Sequence, residues 1–472
     1  MPSPLDLDEA TMVRLGHRVA DLVAAHLARV RDEPVQHPIG RREARDLAAL
    51  PAVAPEAGAP FDGIVATLQA RVFPYHAREP HPRFMGYVPS APTFPAVLGD
   101  WIATGYNFFA GVWSVAAGPN EVELTVLEWF RGWLGLPDGT RGLLTSGGSN
   151  ATLTAVVAAR HAALGDRAED LPRLAMYCSD QAHSSVARAA WIAGVPRANV
   201  RLVPSDDRFR LRPDALEAAI ARDRAAGLVP FLIVGNAGAT NTGAVDPLHA
   251  MADIAARERL WYHVDAAYAG FAALTDRGRA LLAGIERADS VTLDPHKWLY
   301  VPFECGCLLA RDPKALEAAF HVLPDYLRDV EARDQDVNFA DAGEQLTRYS
   351  RALKVWVSVN YFGLAAIRGA IAECMRLADV AERLVREAPD LEVLSPAQFG
   401  VVCFRVHPPG TDDPAALDAL NERVNAAANA TQRVLMSSTR LRGAYSLRLC
   451  ILNYRTTEDD VRAVIELVRA SA

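Results

Sequence analysis

Hydrophobic and polar residues alternate regularly in the middle of the chain. Between Arg141 and Arg311, short apolar runs are separated by segments with helical spacing. The runs are RLAMYCS, NVRLVPS, PFLIVGNAG, LWYHVDAA, SVTLDPHKW and CGCLLAR. Alternation of this kind is typical of βαβ units, which build a mostly parallel sheet buried on both faces. The pattern therefore predicts an α/β domain whose ligand crevice lies at the carboxyl ends of the strands.

The segments on either side of this domain follow other patterns. The first thirty residues carry an apolar stripe at helical spacing, formed by Met12, Leu15, Val19, Leu22, Val23 and Leu27. Residues 50–63 are rich in proline, alanine and glycine and predict an extended linker. Because this region has little core of its own, we expect it to pack on another domain or subunit. We expect three parts: a helical N-terminal dimerisation segment (1–85), a large domain (86–352) and a small C-terminal α+β domain (353–472).

Local signals mark particular helices and one unusual connection. Pro213 at a first turn, with Leu216 and Ile220 on one face and Gly227 beyond the end, predicts a helix in the large domain. In the small domain, Thr457-Glu-Asp-Asp is a variant of the capping box. Residues 324–346 are polar and acidic without a sustained apolar period. A connection of that length inside a compact domain predicts a lid.

Composition narrows the class of protein. Half of the 472 residues are hydrophobic, 22% are charged and the formal net charge is −8, which argues against a nucleic-acid-binding face. The N-terminus lacks the pattern of a signal peptide, and the apolar runs are too short to span a bilayer. Six scattered cysteines include Cys305 and Cys307, whose spacing does not suit zinc. We expect a cytoplasmic enzyme with reduced cysteines and no metal, nucleic-acid or membrane partner.

Lys297, in DPHKW, follows a predicted buried strand and is the first candidate for chemistry. Taken alone, it could be an ordinary exposed lysine at a strand end. A crowded, partly buried site favours the neutral amine, which is a nucleophile toward carbonyl carbon. The common carbonyl cofactor of such a lysine is pyridoxal phosphate. The sequence therefore has to supply partners for the other parts of that cofactor.

Three further motifs supply those partners. Asp265, in HVDAAYAG, is placed to face the ring nitrogen, and Ala267 is small enough to lie under the ring. His183, in SDQAHSSV, can cover the other face. The stretch LTSGGSNATL offers a helix start for the phosphate, with donors and close approach from Gly147, Gly148 and Ser149. Each motif is weak alone, but all of them lie at predicted strand ends.

The same motifs, together with HPRFMGYVPSAPTFPAVLGDW upstream, resemble the group II pyridoxal-phosphate-dependent amino-acid decarboxylases, the family of aromatic L-amino-acid decarboxylase. The resemblance runs from about His81 to the C-terminus. It implies the fold of the PLP-dependent transferases (fold type I), with a seven-stranded, mostly parallel sheet flanked by helices. It also implies a homodimer with active sites at the interface. The expected reaction is decarboxylation of an L-amino acid to an amine and carbon dioxide.

The resemblance also implies roles for individual residues. Lys297 is expected to attach the cofactor, Asp265 to hold the pyridinium and His183 to stack on the ring. Tyr326, in the expected lid, is expected to return a proton to the substrate carbon. The cofactor-binding set that it implies is Gly147, Gly148, Ser149, His183, Thr240, Asp265, Ala267, Asp294, His296 and Lys297. Asp294 stands where animal members have asparagine.

The resemblance also implies a pocket for the side chain of the substrate. The residues expected to line this pocket are Tyr87, Pro89, Ser90, Phe109, Trp113 and Thr347. This aromatic, apolar set favours an aromatic amino acid, and Thr347 favours a phenyl, phenol or imidazole over an indole. Arg83 is the candidate cation for a glutamate-type substrate.

Several alternatives to simple decarboxylation of an aromatic substrate stay open. They are an aldehyde synthase, in which oxygen intervenes before the carbon is protonated, a decarboxylase of histidine or glutamate, another reaction of the same fold and a non-catalytic subunit.

Overall fold

The structure is a computed structural model that describes residues 3, 5–89, 91–165, 167–322 and 336–472. Its helices are α1 (Glu9–Arg29), α2 (Arg41–Ala48), α3 (Phe61–Arg71), α4 (Phe94–Tyr106), α5 (Trp113–Leu134), α6 (Gly148–Leu164), α7 (Ser184–Ile192), α8 (Pro213–Ala225), α9 (Leu248–Glu258), α10 (Asp276–Leu281), α11 (Pro295–Trp298), α12 (Pro313–Phe320), α13 (Ala352–Glu387), α14 (Pro414–Ala430) and α15 (Glu458–Ala470). Its strands are β1 (Arg141–Thr145), β2 (Leu174–Ser179), β3 (Val200–Val203), β4 (Val229–Asn236), β5 (Trp261–Asp265), β6 (Ser290–Leu293), β7 (Gly306–Ala310), β8 (Leu391–Gln398), β9 (Val401–Val406), β10 (Ser437–Leu441) and β11 (Ala444–Cys450).

A seven-stranded sheet forms the large domain, in the order β1-β7-β6-β5-β4-β2-β3. All neighbouring pairs from β6 to β3 are parallel, whereas β7 runs antiparallel to both β1 and β6. The apolar runs of the sequence became strands β2 to β7, and β2, β6 and β7 are buried along their whole length. Burial on both faces explains why the runs are continuous rather than alternating. The predicted mostly parallel α/β sheet is confirmed.

The register of the parallel strands brings several loops to one edge of the sheet. Asn236 at the end of β4 pairs with Asp265 at the end of β5, and Asp265 pairs with Thr292 of β6. Strand β1 also ends at this edge, because it is antiparallel to β7, which is itself antiparallel to β6. The loops after β1, β2, β4, β5 and β6 therefore meet in one place, where a ligand crevice is expected.

The small domain is an antiparallel sheet, β10-β11-β9-β8, covered by helices. Its core is separate from that of the large domain and includes Val402, Phe404, Leu447 and Val464. The helix α15 begins with the predicted capping box, since the Thr457 hydroxyl accepts from the Asp460 amide and the Asp460 carboxylate accepts from the Thr457 amide. Local capping thus fixes where the last helix starts.

Helix α13 joins the two domains. Its first half, with Val355 and Val359, belongs to the core of the large domain, and its second half, with Leu377 and Val385, to that of the small domain. Gly363, at φ 72°, interrupts the helix within the part that packs on the large domain. By length and composition this is the one described helix that could cross a bilayer. Its buried face instead packs on two protein cores.

The N-terminal region is helical, as predicted, and contacts the small domain. Helix α1 begins after Asp8, which caps it by accepting from the Thr11 amide. Arg31 and Arg83 both donate to Asp460, the carboxylate at the start of α15. The expected stripe on α1 is only partly covered, because Met12 is exposed and Leu27 alone is buried.

Candidate active site

A cavity of about 300 Å³ lies at the carboxyl edge of the large sheet. Its lining consists of Ser146, Gly147, Gly148, Ser149, Asn150, His183, Ser185, Asn236, Gly238, Ala239, Thr240, Asp265, Ala267, Tyr268, Asp294, His296 and Lys297. All ten residues that the sequence assigned to cofactor binding are in this set. Binding cavities for small molecules start at about this volume. The structure thus brings together residues that are up to 150 positions apart in the chain, from 147 to 297.

Lys297 lies on the one-turn helix α11, directly after β6. Its Nζ is 2.9 Å from Oδ2 of Asp294, three residues earlier, and its side chain is partly buried. Asp294 is buried, and its Oδ1 has no hydrogen-bond partner among the described residues. The two residues form an ion pair at the floor of the cavity.

Asp265 occupies the end of β5, the strand next to β6. Its Oδ1 accepts a hydrogen bond from the amide of Ala267, and both residues line the cavity. Burial raises the pKa of the Asp265 carboxyl above its ordinary value, and the positive charge of Lys297 opposes that rise. A buried carboxylate in this setting favours a cationic partner, such as a protonated ring nitrogen.

The start of α6 also lines the cavity. Gly147 precedes this helix and Gly148 is its first residue, and the first N–H groups of a helix have no acceptor within the helix. A Cβ on Gly148 would lie 2.9 Å from Oδ2 of Asp294 and 3.1 Å from Cβ of Ala267. Glycine is therefore required here by close packing, and the helix start suits an anionic group.

Two histidines border the cavity, and burial lowers the pKa of both. His183 is the N-cap of α7, where its Nδ1 accepts from the Ser185 amide (3.3 Å). Because a backbone N–H can only donate, neutral His183 carries its proton on Nε2. His296 is oriented the other way, since its Nδ1 lies 2.7 Å from the Cys305 carbonyl oxygen and must donate to it.

Sequence reasoning missed several residues that build the site. Arg448, buried in β11, donates to the carbonyl oxygens of Tyr87, Thr240 and Asn241. Arg448 thereby connects the segment around Tyr87 to the loop of Thr240 and Asn241, and Thr240 lines the cavity. A charged residue inside the apolar run YSLRLCILN is the signal that could have identified it. Asn236 also lines the cavity and follows the rule of strand ends that identified Asp265.

The aromatic surroundings of the motif DPHKW were missed as well. The ring of Phe303, an exposed residue after α11, lies 4.9 Å from the ring of His296. Tyr268 stacks on Trp298 with a centroid separation of 5.5 Å, and the Tyr268 hydroxyl accepts from the Gly400 amide of the small domain. Packing of this kind holds α11 in place from both domains.

Among the residues that the structure describes, those expected on the substrate side do not line this cavity. Tyr87 is 68% exposed and has φ 52°, Pro89 is buried, and Phe109 and Trp113 are half-buried. Thr347 is exposed. Ser90 and Tyr326 lie outside the described residues, as does the first part of the expected lid.

The donor set suits one kind of ligand. An amine, a buried carboxylate, an imidazole and a helix start surround one cavity, and Oδ1 of the buried Asp294 has no partner among the residues that the structure describes. Together they match an aldehyde with a basic ring nitrogen and a phosphate. On this chemistry, the residues fit pyridoxal phosphate. In contrast, the described residues contain no cluster of side chains that could hold a metal ion.

Comparison with known proteins agrees with this geometry. The family described as the pyridoxal-dependent decarboxylase conserved domain matches residues 44–407. The aromatic-L-amino-acid decarboxylase of Bacillus atrophaeus is 36% identical and the match covers 100% of this chain and 98% of that protein. The phenylacetaldehyde synthase of Arabidopsis thaliana is 31% identical, with 99% and 96% covered.

A solved structure is similar over the whole chain. The crystal structure of Oryza sativa TDC with PLP and tryptamine is 32% identical and covers 100% of this chain and 99% of its own, with a TM-score of 0.94. This similarity confirms the predicted fold type I. It also agrees with the predicted cofactor, since that protein was crystallised with PLP. The chain belongs to the family of pyridoxal-dependent decarboxylases, with pyridoxal phosphate as its cofactor.

Proposed function

We propose that the enzyme decarboxylates an aromatic L-amino acid, such as phenylalanine, tyrosine, dihydroxyphenylalanine or tryptophan, to the corresponding amine. The observation that carries this proposal is the single cavity that joins Lys297, Asp265 and His183 to the start of α6. The aromatic character is supported by the relatives, one of which is an aromatic-L-amino-acid decarboxylase. Tyr87, Phe109 and Trp113 supply aromatic surface for such a side chain.

In this proposal, different residues of the cavity lining bind different parts of the cofactor. Lys297 would attach its aldehyde carbon, Asp265 would pair with its ring nitrogen and Ala267 would pack against its ring. The residues assigned to the phosphate side are Gly147, Gly148, Ser149, Thr240, Asp294 and His296. Pyridoxal phosphate, when bound, supplies a conjugated ring that takes up the electron pair of the broken Cα–carboxylate bond.

The protein contributes charge and proton control to that reaction. Asp265 keeps a positive charge on the ring nitrogen, because a buried carboxylate is stabilised by a cation. Lys297 would hold the cofactor between turnovers, and its amine would be the group that competes with the amino group of the substrate. His183, with its proton on Nε2, is suited to donate a hydrogen bond to the substrate from the face that it covers. We assign the proton returned to the substrate carbon to Tyr326, with His183 as the second candidate.

We further propose that the enzyme is a homodimer whose substrate pocket is completed by the second chain. An apolar groove of about 700 Å³ is lined by Phe94, Leu98, Tyr361, Phe362 and Ile367, among others. The stripe on α1 is likewise only half-covered within one chain. Surfaces of this kind support an interface between subunits.

The division of the chain into segments and the cellular location of the enzyme are also part of the proposal. The separate cores support a division into the segments 1–85, 86–352 and 353–472. All six cysteines are buried and free, which supports a reducing compartment, and we propose the cytoplasm.

Two alternatives differ in product or substrate. An aldehyde synthase is supported by the relative from Arabidopsis thaliana, and the presence of His183 in the cavity favours the amine instead. A glutamate decarboxylase needs a cation for the distal carboxylate. Arg83, the candidate for that role, donates to Asp460 and is committed to the start of α15 in the small domain. A histidine decarboxylase differs only in the ring that it accepts.

One experiment separates these functions. The purified enzyme with pyridoxal phosphate is incubated with each proteinogenic amino acid and with dihydroxyphenylalanine. Amine, aldehyde, carbon dioxide and peroxide are then measured. We expect amine and carbon dioxide in equal amounts from aromatic substrates. Peroxide formed in step with carbon dioxide would instead establish the aldehyde synthase, and turnover of glutamate alone would refute the aromatic assignment.

A further inference from the structure

Asp294 has an unusual position for a helix N-cap. It precedes the one-turn helix α11, yet its side chain makes no capping hydrogen bond. Its Oδ2 instead contacts Nζ of Lys297 at 2.9 Å, and only 4% of its side chain is exposed. A buried carboxylate is costly unless it is paired. Lys297 is therefore the group whose positive charge offsets the cost of burying the Asp294 carboxylate.

The other neighbours of Asp294 do not replace that lysine. Nε2 of His296 lies 3.8 Å from Oδ2, but Nδ1 of His296 donates to Cys305, so the neutral ring has no proton on Nε2. Burial also lowers the pKa of His296, which disfavours its charged form. Asp265 and His183 face the same lysine from β5 and α7, and Asp265 adds a second negative charge. Oδ1 of Asp294 finds no partner in the part of the chain that the structure describes.

Asp294 also lies against the start of α6, the helix whose amides face the phosphate side of the cavity. A Cβ on Gly148 would lie 2.9 Å from Oδ2 of Asp294. A phosphate held by these amides brings a second anion close to a buried carboxylate. At such short range, and with little water between them, two like charges repel strongly.

We propose that Asp294 weakens the binding of pyridoxal phosphate by holding Lys297 as an ion pair that the cofactor has to break. Attachment joins Nζ to the aldehyde carbon of the cofactor and expels the aldehyde oxygen as water, after the ammonium has lost a proton. Asp294 stabilises the ammonium and so opposes this step. Repulsion between the phosphate and the Asp294 carboxylate weakens binding of the cofactor further. The result is a site that binds its cofactor less tightly, and releases it more readily, than one with an uncharged residue at position 294.

The experiment is a binding titration of the cofactor-free protein, with no amino acid present. Pyridoxal phosphate and pyridoxal, which lacks the phosphate, are titrated into the wild type and Asp294→Asn, and binding is followed by equilibrium dialysis. Asparagine has the same shape as aspartate, so the cavity is preserved. We expect Asp294→Asn to bind pyridoxal phosphate about tenfold more tightly or better. Pyridoxal should gain less, because only the lysine pair opposes it.

Matched variants locate the effect. Asp289→Asn makes the same change at the other end of β6, where Asp289 accepts from the Tyr262 amide away from the cavity. We expect its affinity for both ligands to equal that of the wild type. In a Lys297→Ala background the gain for pyridoxal should disappear. Asp294→Ser removes the charge with a smaller side chain and should also bind more tightly, and thermal melting of each cofactor-free variant checks its folding.

The outcomes decide the proposal independently of the substrate, because no amino acid is used. Equal or weaker binding of pyridoxal phosphate by Asp294→Asn, with normal melting, overturns it. A gain that persists for pyridoxal in the Lys297→Ala background overturns the role of the lysine pair. Equal gains for both ligands overturn the contribution of the phosphate.

Discussion

The cofactor cavity and the surface assigned to the substrate side chain are built in different ways. All ten predicted cofactor residues line one cavity, on loops that follow strands of one sheet. The described substrate-side residues lie elsewhere, and Tyr87 and Thr347 among them are exposed. One chain thus brings all of its predicted cofactor residues together. The substrate-side residues that the structure describes do not meet in that cavity.

A buried ion pair connects the two regions. Arg348 and Glu123 are each 1% exposed in their side chains, with 2.7 Å between Nη2 and Oε1. Arg348 also donates to the carbonyl oxygens of Ala110 and Leu144, and Glu123 accepts from the Leu144 amide. The segment before Trp113 is therefore fixed to the end of β1, just ahead of the phosphate side. Substrate-side residues are placed relative to the cofactor even though they lie outside its cavity.

Replacement of Lys297 is the strongest test of the cofactor side. Lys297→Ala removes the amine that attaches the cofactor, so we expect activity to fall about a thousandfold or more for every amino acid. The absorbance of covalently attached cofactor should disappear with it. Lys314→Ala, an exposed lysine on α12, is the control and should retain full activity. Substantial turnover by Lys297→Ala would contradict the assignment.

Replacement of Asp265 tests the electrostatic part of the same cavity. Asp265→Asn keeps the shape and the contact with the Ala267 amide but loses the charge that faces the ring nitrogen. We expect kcat to fall about a hundredfold or more, equally for all substrates, since the effect concerns the cofactor. Steady-state kinetics with two different substrates measure this. A loss confined to one substrate would place Asp265 on the substrate side instead.

Mixed dimers sharpen the comparison, because they ask which chain supplies the substrate side. Lys297→Ala and Trp113→Ala are each expected to have low activity as pure proteins. If Trp113 serves the cavity of the second chain, one site in every mixed dimer is intact. Random pairing then restores about a quarter of wild-type activity. Activity that stays at the level of the separate variants after unfolding and joint refolding would place Trp113 in its own chain's site.

The smallest effect concerns the strand under the cavity. His263 is buried on β5, with Ser290 and Thr292 as hydrogen-bond partners, and burial lowers its pKa from 6.5 to about 3. Below pH 6.5 the unfolded chain gains a proton that the folded chain does not. Stability should then fall by about 1.4 kcal/mol per pH unit on account of this group, until the folded pKa is reached.

Denaturant unfolding at several values between pH 7 and pH 5 checks the contribution of His263. His263→Gln keeps donors and acceptors but does not titrate, so its stability should vary less with pH than that of the wild type. If the free energy of unfolding varied with pH in the same way in both proteins, His263 would be protonated in the folded protein as readily as in the unfolded chain. The exposed residues of the substrate side, in contrast, are not expected to change how the free energy of unfolding varies with pH.

The most local features of the protein could be read from the chain. Runs of apolar residues gave the strands, Pro213 and Thr457 marked helix starts, and the rule of strand ends identified Lys297, Asp265 and Gly147. These features depend on neighbours within a few residues or on the period of burial, and both are written in the sequence. The motifs also carried the family resemblance, which comparison confirmed.

Contacts between distant segments could not be read in the same way. The commitment of Arg83 to Asp460, the bridge from Arg448 to Tyr87 and the packing of Gly148 against Asp294 join positions up to 377 residues apart. Such partners are chosen by how the packed domains meet, because a buried charge takes whichever opposite charge or carbonyl lies within reach. The chain thus specified which residues could do chemistry, and the packing of its domains determined which of them meet.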